Sequence, residues 1–405
     1  MLTSSAVVRL SAGVALGFGL LAGVSLPANA EIKPAVKKGL LTKVNGKLNG
    51  SCRSGVCKIT GGTSSGKNLF HRFKAFDTRG KIKGVEFDSI GKKNLIVGVT
   101  SPKGSFIDKS IGLNSSANVF WLSPGGIHLG QGASFVNVPN LTLSTANTLR
   151  FGNGHFDVFR SQASDLSGLS GAPLLGSLGL DVDPESDAAG GVTRAGIHLD
   201  GIDVSIDQSL YIDAVNDALT VRSSTVSLDS TVAVGGSLTL TGQSIDLSGS
   251  TRLSATGAKG GGLIQVGGSW QNSDASVRQA TTTTVGSDVV IDASAVEAGN
   301  GGEIVVWSDV ANADSVTTVA GTLMARGGVA GGDGGRIETS AFDLNIAGID
   351  VDVIANAPFR SGDWLLDPYD YTLDNMSPDF AVSTIASSLE AGNNVTISTV
   401  ATSSS

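Results

Sequence analysis

The chain has 405 residues with 55 glycines, 5% aromatics, 16% charged residues and a net charge of −8. So much glycine and so few rings exclude a single globular core built around large aromatic side chains, and suit many short strands punctuated by turns. Charge is split: residues 31–110 hold 17 Lys or Arg against 5 Asp or Glu, a net of +12, and residues 111–405 hold 10 against 31, a net of −21.

Residues 1–30 read as a signal peptide. They carry one charge, Arg9, then an apolar run from Ser11 to Val24, and after Pro27 the small-x-small site Ala28-Asn29-Ala30, with cleavage expected after Ala30. The run is broken by glycines and shorter than the roughly 20 residues of a membrane span. No later stretch is long and apolar enough to cross a bilayer. The C-terminus also lacks the alternating, aromatic-girdled strands of an outer-membrane barrel. The mature part is thus expected to have no transmembrane anchor of its own, and a partner must carry it across an outer membrane. Residues 31–405 suffice for two ordinary domains or one long solenoid.

Two cysteines stand at Cys52 and Cys57 around Gly55. Such a pair can close a tight disulfide loop in an oxidising periplasm. A zinc site would need two further ligands, and only His71 is near, so the disulfide is the favoured reading. Gly61-Gly62-Thr63-Ser64-Ser65-Gly66-Lys67-Asn68 nearly spells a phosphate loop, but Asn68 replaces the metal-binding hydroxyl and no long apolar strand precedes it. It reads as a turn. The basic leader could steer the chain to an acidic partner surface or simply keep a long solenoid soluble. It carries no nucleic-acid signature.

Further on, short period-2 runs recur, among them Leu95-Ile96-Val97-Gly98-Val99, Leu141-Thr142-Leu143-Ser144, Leu238-Thr239-Leu240, Gly262-Leu263-Ile264-Gln265-Val266 and Glu303-Ile304-Val305-Val306-Trp307. Each alternates apolar with small or polar residues and ends at Gly, Asn, Asp or Ser. Strands so short cannot bury a face alone, whereas stacking them coil on coil buries one continuous core. Ladders of Ser, Thr and Asn can then pair between coils. The fold expected is all-β, a parallel β-helix. Glycine clusters at 257–262, 299–302 and 327–335 read as turns needing positive φ. Residues 161–190 read as a loop or boundary, and residues 208–222 suggest the one helix.

The stretch from Gly61 to Phe156 resembles the N-terminal secretion domain of two-partner-secretion exoproteins, the filamentous haemagglutinin family. Asn68-Leu69-Phe70-His71-Arg72-Phe73-Lys74-Ala75-Phe76 is similar to its early aromatic strand. Asn94–Thr100 and Ser105–Asp108 are similar to the next coils. Ala117-Asn118-Val119-Phe120-Trp121-Leu122-Ser123-Pro124-Gly125-Gly126-Ile127-His128-Leu129-Gly130 carries most of the resemblance. The family's usual turn there is Asn-Pro-Asn-Gly-Ile. Pro124, Gly126 and Ile127 match, while Ser123 and Gly125 replace the asparagines. The family's Asn-Pro-Asn-Leu has no match near residues 86–90, and Pro139-Asn140-Leu141 falls after the turn. Gly332–Ser340 and Gly362–Tyr371 are similar to a block of such exoproteins and of large adhesins.

The resemblance implies a right-handed parallel β-helix with the secretion domain, residues 31–175, capping a passenger over residues 176–405. It implies a partner, an outer-membrane barrel transporter with periplasmic recognition domains, and a recognition turn at Ser123, Pro124, Gly125, Gly126 and Ile127. The product would be secreted or surface-associated, crossing unfolded and acting in adhesion, with a host-cell or glycan receptor. A pore-forming cytolysin and a carbohydrate-active β-helix enzyme are the rival readings. The chain stops at Thr402-Ser403-Ser404-Ser405 with no capping element, which reads as the open end of a fragment. Asp181, Asp183, Glu185 and Asp187, then Asp200, Asp203 and Asp207, have the oxygen ligands calcium takes, but read as solvated loops. His71, His128, His155 and His198 are dispersed along the sequence. No catalytic residue, metal ligand or cofactor site is expected.

Overall fold

The computed structural model describes residues 30–36, 39–179, 196–370 and 382–399. The chain winds as a parallel β-helix whose coils each contribute up to three short strands. Three consecutive strands, Asn94–Val99, Ser105–Ile107 and Ser110–Leu113, make one coil, and Asn118–Leu122, Ile127–Leu129 and Ser134–Val136 make the next. Every strand pairs in parallel with its equivalents in the neighbouring coils. Three faces result, called front, second and third in chain order.

Register is what the apolar alternation encodes. On the front face Leu69, Leu95, Val119, Leu141, Leu210, Leu238, Ile264, Ile304, Ile337 and Trp364 stack in one inward column. The second face repeats this with Ile107, Leu129, Leu199, Val221, Leu247, Val285 and Val319. A one-residue slip would turn each column outward, so the buried face fixes the pairing. The columns form one continuous core running from Ile32 to Ile385. At the N-terminal end, Ile32–Pro34 and Thr42–Val44 lie antiparallel to Asn68–Asp77 and Gly55–Gly61, with Ile32 and Val44 fully buried.

After Asn140–Ser144 the chain leaves the helix and forms an antiparallel side sheet of Thr148–Phe151, Gly154–Asp157 and Pro173–Gly179, rejoining at Ile197–Asp200. This sheet buries the outward side of the front face: Phe70, Ile96, Phe120 and Leu122 pack with Leu149, Phe151, Phe156 and Leu166 in a second core. That explains why Asn94–Val99 is buried throughout, as expected of strands covered on both sides.

Three expectations change. Residues 208–222 form two strands, Ser209–Asp213 and Ala218–Arg222, because Leu210, Ile212, Leu219 and Val221 enter the solenoid core and tertiary burial overrides helix propensity. Among the described residues the one α-helix, Val382–Glu390, lies outside any segment the sequence singled out, and buries Ile385. Of residues 161–190, those up to 179 include the strand Pro173–Gly179 as well as a loop, and 180–190 lie outside the described residues. In the glycine clusters positive φ occurs at Gly299, Gly331 and Gly332 and nowhere in 257–262. The commoner need there is close approach of backbones. A Cβ on Gly301 would sit 2.1 Å from the Ala325 carbonyl oxygen, and one on Gly334 1.8 Å from that of Val353.

Candidate recognition turn

The turn at Ser123–Ile127 links a front strand to a second-face strand. Gly126 N–H donates to the Ser123 carbonyl at 2.9 Å, and positive φ falls on Gly126, at +107°, one residue later than a type II turn would place it. Directly beneath it Ser101-Pro102-Lys103-Gly104 makes the same turn, with Gly104 N–H to the Ser101 carbonyl at 3.0 Å. The two turns touch through their glycines. A Cβ on Gly125 would lie 2.3 Å from the Ser101 carbonyl oxygen, and one on Gly104 2.2 Å from that of Gly126. The residue that replaces the family's second asparagine thus has its own reason to be glycine.

Ser123 ends a relay. Trp121 Nε1 donates to Ser105 Oγ at 3.0 Å, Ser105 donates to Ser123 Oγ at 2.9 Å, and Ser123 donates to the Gly126 carbonyl at 2.8 Å. Every member is satisfied inside the core, where an unmet donor would be costly. Ser123, Pro124, Gly125, Gly126 and Ile127 are all buried. The folded protein therefore presents none of the five to a partner.

An asparagine ladder runs up the front face at the other end of these strands, where Asn94, Asn118 and Asn140 each begin one. Asn94 Nδ2 donates to Asn68 Oδ1 at 2.7 Å, Asn118 to Asn94 at 3.0 Å and Asn140 to Asn118 at 2.8 Å, with Ser209 closing onto Asn140 at 2.7 Å. Asn68 Nδ2 reaches the Leu169 and Gly171 carbonyls and ties the side sheet's loop to the helix. Arg72, also buried, donates to the Asp157 carbonyl at 2.9 Å and lies 5.7 Å from the Phe156 ring centre.

The remaining sequence candidates fall as follows. Cys52 and Cys57 are joined by a disulfide with Cα atoms 5.7 Å apart. The loop resembling a phosphate site is a hairpin in which Thr63–Ser65 pairs antiparallel with Asn68–Phe70. His71 is fully buried against Phe73 and Phe87, bonded to Thr42, and burial pushes it down to about 3, with Asp88 opposing slightly. The histidines are less scattered than their numbering suggests: His128 and His198 stack with ring centres 4.9 Å apart, and Phe106 stacks under His128 at 4.7 Å. Parallel stacking aims the ring nitrogens alongside one another, not at a common point. Among the described residues no group of three or more His, Cys, Asp or Glu side chains could hold a metal. Asp200 is bound by Arg222 at 2.9 Å. Asp181, Asp183, Glu185 and Asp187 lie outside the described residues, as does the signal segment up to Asn29. Sequence reasoning missed the excursion of residues 267–281 out of the helix, in which Trp270 packs against Val305, Trp307 and Val310. Its only signal was the wide spacing between the Leu263–Val266 and Thr282–Val285 strands.

Among the described residues no helix is long and apolar enough to cross a membrane. Residues 42–170 match the family model of the TPS secretion domain. The crystal structure of the HMW1 secretion domain from Haemophilus influenzae is similar at 17% identity, covering 84% of this chain and 100% of that one, with a TM-score of 0.32 that is too low to equate the folds. The chain has no match among curated proteins. With a TPS secretion domain at residues 42–170, the chain is a two-partner-secretion exoprotein, exported through the periplasm to an outer-membrane partner transporter.

Proposed function

We propose that residues 31–175 are the segment the transporter's periplasmic domains read, that they read it before it folds, and that residues 176–405 act in adhesion. The family match at residues 42–170 supports the first part. The observation that carries the second is the burial of Ser123–Ile127. A partner that uses this turn must meet it in the unfolded chain. The signal peptide would be removed after Ala30. Exposed Lys43, Lys58 and Lys83 on the third face suit an acidic surface once folding begins.

Adhesion is favoured over catalysis or membrane insertion by the outward side of the second face. There Thr220, Asp246, Thr284, Thr318 and Asn345 form one column, repeating at roughly the 4.8 Å strand spacing. A long, rigid, polar face is what a binder needs, and the carboxylate beside the column, Asp200, is taken up by Arg222.

The test compares binding of the transporter's periplasmic domains to the mature chain freshly diluted from urea and to the same chain after folding. Capture of the unfolded chain alone is expected, weakened by Pro124→Ala combined with Ile127→Ala. Equal capture of the folded chain contradicts recognition before folding. For the passenger, binding to cells or glycans without polysaccharide turnover or liposome leakage is expected. Product release or leakage favours the rival readings.

A further inference from the structure

Among the described residues the side sheet pairs with no strand of the solenoid; Thr148–Phe151, Gly154–Asp157 and Pro173–Gly179 make a separate three-stranded sheet. It is held by packing and by single hydrogen bonds. From the secretion domain, Asn68 reaches the Leu169 and Gly171 carbonyls, Ser65 Oγ donates to the Ser167 carbonyl at 3.0 Å, and Arg72 donates to that of Asp157. A sheet this small is stable only where its apolar face is covered.

Part of that cover comes from beyond the matched domain. Val215 is 2% exposed and belongs to the second core with Leu149, Leu166 and Leu178, and Tyr211 lies partly buried against the same cluster. Further on, residues 267–281 leave the helix as a strap between Leu263–Val266 and Thr282–Val285. From this strap Arg278 Nη2 donates to the Leu178 carbonyl at 3.2 Å. Ser276 meets Gly176 so closely that a Cβ on that glycine would lie 2.4 Å from the serine Cβ.

One buried carboxylate joins the two attachments. Asp213, 1% exposed, accepts on Oδ1 from the Val215 N–H at 2.9 Å, from Thr241 Oγ1 at 3.0 Å and from Arg278 Nε at 3.2 Å. Val215 holds left-handed φ, +52°, a conformation that a β-branched residue keeps only where its surroundings impose it. Here they are the Asp213 oxygen on its N–H and the second core around its side chain.

We propose that the passenger completes the fold of the secretion domain: the side sheet is a lid that Val215 pegs and Arg278 latches, with Asp213 aligning both. All three residues lie after residue 170, where the family match ends. The lid therefore closes only after Ser209–Asp213 has stacked on Asn140–Ser144 and the strap has reached back to Leu178. The coupling stands apart from how the transporter reads the domain. With recognition before folding, as proposed above, it keeps the lid open until the strap has followed.

Hydrogen exchange of the full mature chain tests this. Peptides within 148–179 report on the lid, peptides within 267–281 on the strap, and the third-face strands Ile82–Phe87 and Thr225–Leu228 serve as references. Arg278→Ala should raise lid opening about tenfold or more, the equivalent of one charge-assisted bond, with the references unchanged. Val215→Ala should do the same by emptying the peg's place in the core. Arg222→Ala, which breaks an exposed pair with Asp200 between neighbouring coils, should leave the lid as it is. Coupling is reciprocal, so Leu166→Ala, within the second core, should raise opening of the strap as well. A lid unmoved by Arg278→Ala or by Val215→Ala, a rise shared equally by the references, an equal rise in Arg222→Ala, or a strap unmoved by Leu166→Ala would each overturn the proposal.

Discussion

Replacing Asn94 with alanine breaks the asparagine ladder at a buried rung. Two side-chain bonds disappear, to Asn68 at 2.7 Å and from Asn118 at 3.0 Å, worth about 1 kcal/mol each. Asn68 is fully buried, so its Oδ1 is left without that donor, at a further cost of about 1–2 kcal/mol. Asn118 is half-buried and can turn to water. The expected loss is about 3–4 kcal/mol. Asn140→Ala, at a rung that water reaches, should cost about half as much. Asn94→Asp sets oxygen against the Asn68 oxygen and should be no better than alanine. Because a solenoid opens locally, the assay is hydrogen exchange of peptides covering Asn68–Asp77, Asn94–Val99 and Asn118–Leu122. An Asn94→Ala protein within about 1 kcal/mol of wild type, or one less affected than Asn140→Ala, would refute a stabilising role for the ladder.

Gly334→Ala should cost about 3 kcal/mol or more, since the new Cβ runs into the backbone of the next coil, 1.8 Å from the Val353 carbonyl oxygen and 2.3 Å from the Gly362 nitrogen; urea titration followed by tryptophan fluorescence measures it. The folded secretion domain keeps His71 neutral down to about 3, while an unfolded chain protonates it below its ordinary 6.5. Its contribution is thus intact above pH 6.5 and is lost as pH falls toward 3, at about 1.4 kcal/mol per unit, a slope that His71→Leu should remove from pH-dependent urea midpoints. Reducing the Cys52–Cys57 loop should cost about 2 kcal/mol by chain entropy and speed exchange at Ile32, which is bonded to Cys52 in both directions. Circular dichroism should show a helix share far below the one third ordinary for globular domains, given the single α-helix Val382–Glu390 among the described residues.

The solenoid was legible because its core is written locally. Each of Leu95, Val119, Leu141 and Leu210 sits in its own alternating run, and stacking needs only that the runs share a period. The turn at Ser123–Ile127 was legible as a turn, since Pro124 and its glycines say so from sequence. Its burial was not, because the neighbouring turn that covers Gly125 lies 22 residues earlier and becomes a neighbour only through the winding. The same holds for His128 and His198, brought together when the side sheet is looped out between them. Ala218–Arg222 was misread because local propensity cannot report that Leu219 and Val221 face a core built by other coils. Glycine in the corners was read as conformational freedom where, at Gly301 and Gly334, the requirement is space between stacked backbones.

Export itself tests the central claim most directly. A reporter fused after residue 175 and expressed with a partner barrel transporter should reach the medium, and only when the transporter is present. Deleting residues 61–156, which lie within the matched domain and include Ser123–Ile127, should leave the reporter in the periplasm. Secretion that proceeds equally well without those residues, or without the transporter, would contradict the account.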